Sequence, residues 1–258
     1  MASFVMHYVA LEKLIDSMNN YKLVSDDKNN FRLGNLIVDT LGIDNYDRDE
    51  KLSRKMITHF RDEEDDDKCI QIPNIDKFMN KYEYLVNRDY SAMGYLFHLY
   101  TDKMFFEYLY EEVINPLDKD MQVTNYKKDN YYVRVLHNNK IFKTSDFYSG
   151  SDIGGLYRDY SNMNKYLINK YSIVFNYEEL KYFSNRFINP GIEEIDYKYI
   201  GEVFNKMKDV IDNSYSSDVN ELNIFNIDDI DKFISLVVDG FNNKYEANIK
   251  KLVKVKKR

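Results

Sequence analysis

The chain has 258 residues, 44% of them hydrophobic and 31% charged, and a formal net charge of -7. Its mean hydropathy is -0.59, and no apolar run reaches the roughly 20 residues a membrane-spanning helix needs, so a soluble, acidic protein is expected. That charge argues against a nucleic-acid backbone as partner, and the single cysteine, Cys69, excludes an internal disulfide and fits a reducing compartment.

The first element expected is a helix over 3–18, where Phe4, Met6, His7, Leu11, Leu14, Ile15 and Met18 recur at helical spacing. His7 shares a face with Leu11 and Leu14 and should point inward. The start of the chain lacks a basic n-region and a long apolar h-region, so no secretory signal is read there and a cytoplasmic location is expected. Residues 19–30 read as a polar loop, followed by a short apolar run, Phe31 to Leu41, that contains Gly34 and Asp39. A helix over 48–61 would place Leu52, Met56 and His59 on one face. The acidic run Asp62 to Asp67 ends it; without a glycine or alternating ligand spacing it reads as a solvated loop rather than a calcium site.

Pro73 opens a helix over 73–86 with the stripe Ile75, Phe78, Met79, Tyr82 and Leu85. The longest and most apolar helix is expected over 89–114, carrying His98 and Asp102 and stopping before Pro116. Residues 121–148 suggest a β-hairpin, with 131–136 and 141–143 flanking His137 at the turn. The helical reading resumes from Leu156, with Tyr160, Met163, Tyr166 and Leu167 on one stripe, further helices are expected over 177–187, 195–211 and 227–249, and the basic stretch Lys251 to Arg258 reads as a polar helix end. Few prolines and glycines, three and nine, favour long helices. The expected fold is an all-α multi-helix bundle with a small β-hairpin insertion near 121–148. It is read as one helical domain over 1–258, with candidate site helices in 1–115 and further helices in 156–250.

The candidate site is the set His7, Asp39, His59, His98 and Asp102. His98 and Asp102 are four residues apart, hence on one face of a helix that is apolar nearly all round. A buried carboxylate is costly unless it is paired or binds a metal, and imidazole with carboxylate is an ordinary ligand set for zinc or a similar divalent ion. Each residue alone has a plainer role: a hydrogen-bonded core histidine, a cap at Asp39, an ion pair at Asp102. Three of the four histidines on inward helical faces, together with the His98/Asp102 pair, make a metal site the stronger reading, because helical bundles build such sites from facing helices. His137, at a turn, is expected to be exposed. Neither the phosphate-loop nor the dinucleotide signature is present, nor is a nucleophile elbow, and Cys69 has no histidine near it in sequence.

The ordered series Met6-His7, Gly34-Asn35-Leu36-Ile37-Val38-Asp39, Thr58-His59-Phe60 and Gly94-Tyr95-Leu96-Phe97-His98-Leu99-Tyr100-Thr101-Asp102 resembles the bacterial zinc-dependent phospholipase C-like hydrolases over roughly residues 1–110. The resemblance implies an all-helical fold and a centre of one or two zinc ions, or another divalent metal. It implies that His59, His98 and Asp102 hold one ion, that His7 holds a second with Asp102 as the bridge, and that Asp39 is a ligand or the general base. It further implies a phosphoester substrate. The family's further His, His, Glu set is represented here only by His137, so a third metal position is not expected. A helical HD-type phosphohydrolase would need an adjacent His-Asp pair, whereas Tyr8, Phe60, Leu99 and Asn138 follow the four histidines. The alternative from another class is a non-catalytic helical module with a structural polar or metal cluster. Elemental analysis of the purified protein separates the two.

Overall fold

In the computed structural model, which describes residues 2–39, 55–148, 155–195, 200–212 and 222–256, the chain is mostly helical. Ser3 caps α1 (Phe4–Ser17) by accepting from the Met6 N–H at 3.2 Å. A short 3₁₀ turn, Asn19–Tyr21, leads to α2 (Ser25–Ile37). The polar stretch read as a loop is therefore helical from Ser25. Asp26 and Asp27 sit in its first turn, where the helix dipole favours acids. Its polar side is held by distant partners: Arg32 pairs with Glu12 at 2.6 Å, and Asn29 donates to Glu179 at 2.8 Å.

Residues 55–58 are helical; the earlier part of the expected 48–61 helix, with Leu52, lies outside the described residues. α3 (Ile75–Val86) is capped by Asn74, so Pro73 precedes the cap instead of opening the helix. α4 (Tyr90–Tyr108) is capped by Asp89 and buried along almost its whole length. It gives way to a π-helical turn, Leu109–Val113. The expected hairpin is present as β2 (Tyr132–Val135) and β3 (Ile141–Lys143), and a third strand, β1 (Ile114–Leu117), joins it antiparallel in the order β1-β2-β3. Pro116 thus lies in an edge strand, a position where its missing N–H is tolerated. Asn139, at φ 57°, makes the hairpin turn.

A one-turn helix α5 (Thr144–Phe147) follows, then α6 (Leu156–Lys170), α7 (Tyr177–Ser184), α8 (Ile200–Asp212) and α9 (Ile227–Lys256). α9 spans 30 residues but is two helical pieces joined at Tyr245, whose φ of -110° and ψ of 18° are not helical, so the 19 residues of α4 remain the longest unbroken α-helix among the described residues. α9 runs into the basic stretch. Asp159 on α6 is fully buried and accepts the backbone N–H groups of Asn223, Ile224 and Phe225, anchoring the approach to α9. None of the described helices is long and apolar enough to cross a membrane.

The helix pair that matters most is α2 against α4, the most extensive helix contact in the fold. Two glycines make it close. A Cβ on Gly34 would lie 1.8 Å from the Ser91 carbonyl oxygen, and one on Gly94 would lie 2.2 Å from the Phe31 carbonyl oxygen. Backbone therefore touches backbone, and the end of α2 is brought onto the middle of α4.

Candidate metal centre

Four chain segments deliver the five candidate residues to one place. α1 contributes His7 from its inward face. Asp39 lies just past the end of α2, which the Gly34–Gly94 crossing holds against α4. α4 contributes His98 and Asp102 one turn apart. His59 ends the helical turn 55–58 in a Schellman arrangement: the Phe60 N–H bonds the Ile57 carbonyl at 3.1 Å and the Arg61 N–H bonds the Met56 carbonyl at 3.0 Å. Phe60 takes the left-handed position, φ 51°, where glycine is usual. Its ring is kept there by edge contacts with Phe78, Tyr82 and Tyr95.

The side chains converge. His7 Nε2 is 3.1 Å from Asp102 Oδ1, and His59 Nε2 is 3.3 Å from Asp102 Oδ2 and 3.7 Å from Asp39 Oδ1. His98 Nε2 is 3.8 Å from Asp102 Oδ2 and 4.0 Å from Asp39 Oδ2. The His7 and His98 rings stack in parallel with centroids 3.9 Å apart, and His59 meets His98 edge-on at 5.4 Å. Two triads arise, His59/His98/Asp102 and His7/Asp39/His98, each with ligand atoms within 4.8 Å of one another. Most of these separations exceed a hydrogen bond. They match the spacing of about 3.3 Å or a little more between donors that share a tetrahedral ion at bonds of about 2.0 Å.

Burial sets the electrostatics. Asp102 is fully buried and His7, His59 and His98 are 1% exposed, while Asp39 at 7% is the most accessible. Burial pushes the His98 imidazole down to about 3, with help from His7. Burial likewise lowers His59 despite the Asp102 carboxylate beside it. Burial raises the carboxyls, but it is outweighed: His7 and His59 hold Asp102 well below the usual range, and His98, Lys55 and His59 lower Asp39. Neutral imidazole and ionised carboxylate are the protonation states in which these groups bind metals.

The donor set fits an ion. His98 Nδ1 and Nε2, His59 Nε2, His7 Nδ1 and Asp102 Oδ2 are buried without a hydrogen-bond partner, a concentration that native cores avoid. His59 also has the support expected of a ligand. With the proton on Nδ1 it donates to Thr58 Oγ1 at 3.0 Å, leaving the Nε2 lone pair toward the cluster. The hydroxyl of Tyr95 in turn donates to the Thr58 carbonyl oxygen.

All five residues read from the sequence are thus brought together, and His59, His98 and Asp102 form one of the two triads. His98 is common to both triads, and Asp102 lies between His7, which faces its Oδ1, and His59, which faces its Oδ2. His137 lies apart, exposed in the hairpin turn, and bonds Asn138. Sequence reasoning missed three neighbours. The Ala2 N–H donates to Asp102 Oδ1 at 3.0 Å. Arg61, 8% exposed, lies where Asp102 and Asp39 are the charges acting on it most strongly, and half-buried Lys55 is acted on most by Asp39. The available signal was position: Lys55 precedes His59 by one helical turn, and Arg61 follows it by two residues. Comparison with protein-family models, curated proteins and solved structures gives no match to the chain in any of the three.

Proposed function

We propose that the protein is a metal-dependent hydrolase of phosphoesters, similar in its N-terminal part to the zinc-dependent phospholipase C-like enzymes. His7, Asp39, His59, His98 and Asp102 would hold one or two zinc ions, or another divalent metal. The observation that carries this reading is the pair of buried triads meeting at His98, whose two ring nitrogens have no other partner. When bound, such an ion lowers the pKa of water toward about 7 and acts as a Lewis acid on phosphoryl oxygen.

The residues divide that work by environment. Asp102, fully buried and flanked by His7 and His59, is a structural ligand. Asp39 is the most accessible carboxylate of the set and is held ionised by its neighbours, so it is the group able to take a proton from an attacking water. The near-complete burial of the other four favours a second reading, a closed structural metal site.

Elemental analysis of protein purified without added metal tests the site, and a panel of phosphomonoesters and phosphodiesters tests the activity. Asp39→Asn is expected to keep the fold and much of the metal while losing about 10²–10⁴ in rate. Metal-replete wild type without activity on that panel would leave the structural reading standing. Protein that takes up no metal would remove both.

A further inference from the structure

Arg61 is a buried cation to which the metal reading gives no task. Its Nη1 donates to Gln71 Oε1 at 3.1 Å, and its guanidinium lies over the Phe106 ring at 5.6 Å. Its Nε is buried with no hydrogen-bond partner, and among the described residues no carboxylate forms an ion pair with it. A buried guanidinium without an anion is costly. Its planar fork is also the side-chain geometry best matched to phosphate oxygens. The Schellman turn at Phe60 fixes Arg61 beside His59, and Lys55 shares the His59 face of the preceding helical turn.

Charge balance indicates what is missing. Asp39 and Asp102 are the two carboxylates of the centre, and one divalent ion cancels them. Histidine binds a metal as neutral imidazole, so among the described residues Arg61 and Lys55 are left without a compensating anion beside a metal cation. Lys55 precedes the ligand His59 by one helical turn and Arg61 follows it through the turn at Phe60, so the two cations bracket His59 along the chain. A doubly charged anion on the ion would restore neutrality and meet the free Nε.

Building on the phosphoesterase reading, we propose that Arg61, assisted by Lys55, is the oxyanion clamp of this centre and that it selects the dianionic phosphoryl group of a phosphomonoester. The test is calorimetric titration of the metal-loaded full chain with inorganic phosphate, and with dimethyl phosphate as a singly charged diester. Wild type is expected to bind phosphate, and dimethyl phosphate at least about tenfold more weakly. Arg61→Gln should weaken phosphate binding by about 10–100-fold, the scale of a lost charge-assisted hydrogen bond, with metal content and circular dichroism unchanged. Arg61→Lys should restore only part of the affinity, because it returns the charge without the fork.

A folded, metal-replete Arg61→Gln with wild-type phosphate affinity overturns the clamp, as does metal-loaded wild type that binds no phosphate. Equal affinity for dimethyl phosphate overturns the choice of a dianion. If Arg61→Gln does not fold, Lys55→Gln decides: unchanged phosphate affinity in that variant overturns the proposal. Wild type that retains no metal is recognised by elemental analysis before any titration. That result refutes the phosphoesterase reading and the clamp with it, whereas the other outcomes leave the metal centre intact.

Discussion

Replacing Gly34 by alanine should damage the metal centre from a distance. The added Cβ would fall 1.8 Å from the Ser91 carbonyl oxygen, and ordinary contact begins at 3.4 Å, so α2 and α4 must separate by about 1.6 Å. Both contacting groups are backbone, so no side chain can swing away. α2 ends next to Asp39, and α4 carries His98 and Asp102. The separation therefore shifts one part of the donor set against the other by far more than the roughly 0.2 Å that a metal site tolerates. Overpacking costs about 1–3 kcal/mol, and the better helix propensity of alanine returns about 1 kcal/mol at most. A net loss of about 2 kcal/mol in urea unfolding is expected. Zinc affinity, measured by competition with a chelator, should fall by about 10–100-fold. Gly201 on α8 is the control, since among the described residues nothing lies within 4 Å of a Cβ there; Gly201→Ala should stabilise by about 0.5–1 kcal/mol and leave zinc binding alone. Gly34→Ala with wild-type stability and wild-type zinc affinity would refute the claim that this crossing sets the site.

His98 belongs to both triads, so His98→Ala should lower metal content more than loss of His7 or His59, and should abolish the rise in melting temperature that added zinc gives wild type; an unchanged metal content removes His98 from the site. In the metal-free protein, stability should fall with acid. The unfolded chain takes up a proton at His98 near pH 6.5 and the folded chain only near pH 3, so the contribution of His98 is present above 6.5 and lost between 6.5 and about 3, to a limit of about 5 kcal/mol. Asp39 and Asp102, also depressed in the fold, add a further loss below the usual carboxylate range. Urea midpoints that stay flat from pH 7 to pH 4 would contradict this.

Helical period explains what was legible in the sequence. His98 and Asp102 could be placed together because four residues make about one turn, and His7 because Leu11 and Leu14 mark its face. The hairpin was legible from its alternating strands. What escaped depends on distant partners. α2 begins in residues polar enough to pass for a loop, and they are accommodated because Arg32 pairs with Glu12 and the Asn29 amide donates to Glu179, 150 residues away. β1 was hidden by Pro116, which is admissible only because the strand lies at the sheet edge. Arg61 carried no mark beyond its place two residues after His59. Its burial beside the centre follows from a left-handed turn at Phe60, a residue whose identity does not announce one.

A cluster of this composition is difficult to explain as packing alone. Buried donors and acceptors without partners cost about 1–3 kcal/mol each, and apolar residues of similar volume commonly stabilise a core at least as well as buried ionic groups do. His7, His59, His98 and Asp102 all carry such atoms within one small volume. A purely structural polar network would have closed its hydrogen bonds; here His7 Nε2 meets Asp102 Oδ1, but His7 Nδ1 and both nitrogens of the stacked His98 ring are left without a partner. The cost is recovered when an ion supplies the missing partner for several nitrogens at once. The stability of the metal-loaded protein should therefore fall with metal affinity across substitutions at these four positions, whereas in the metal-free protein variants that fill the site with apolar side chains should gain stability as they lose the metal.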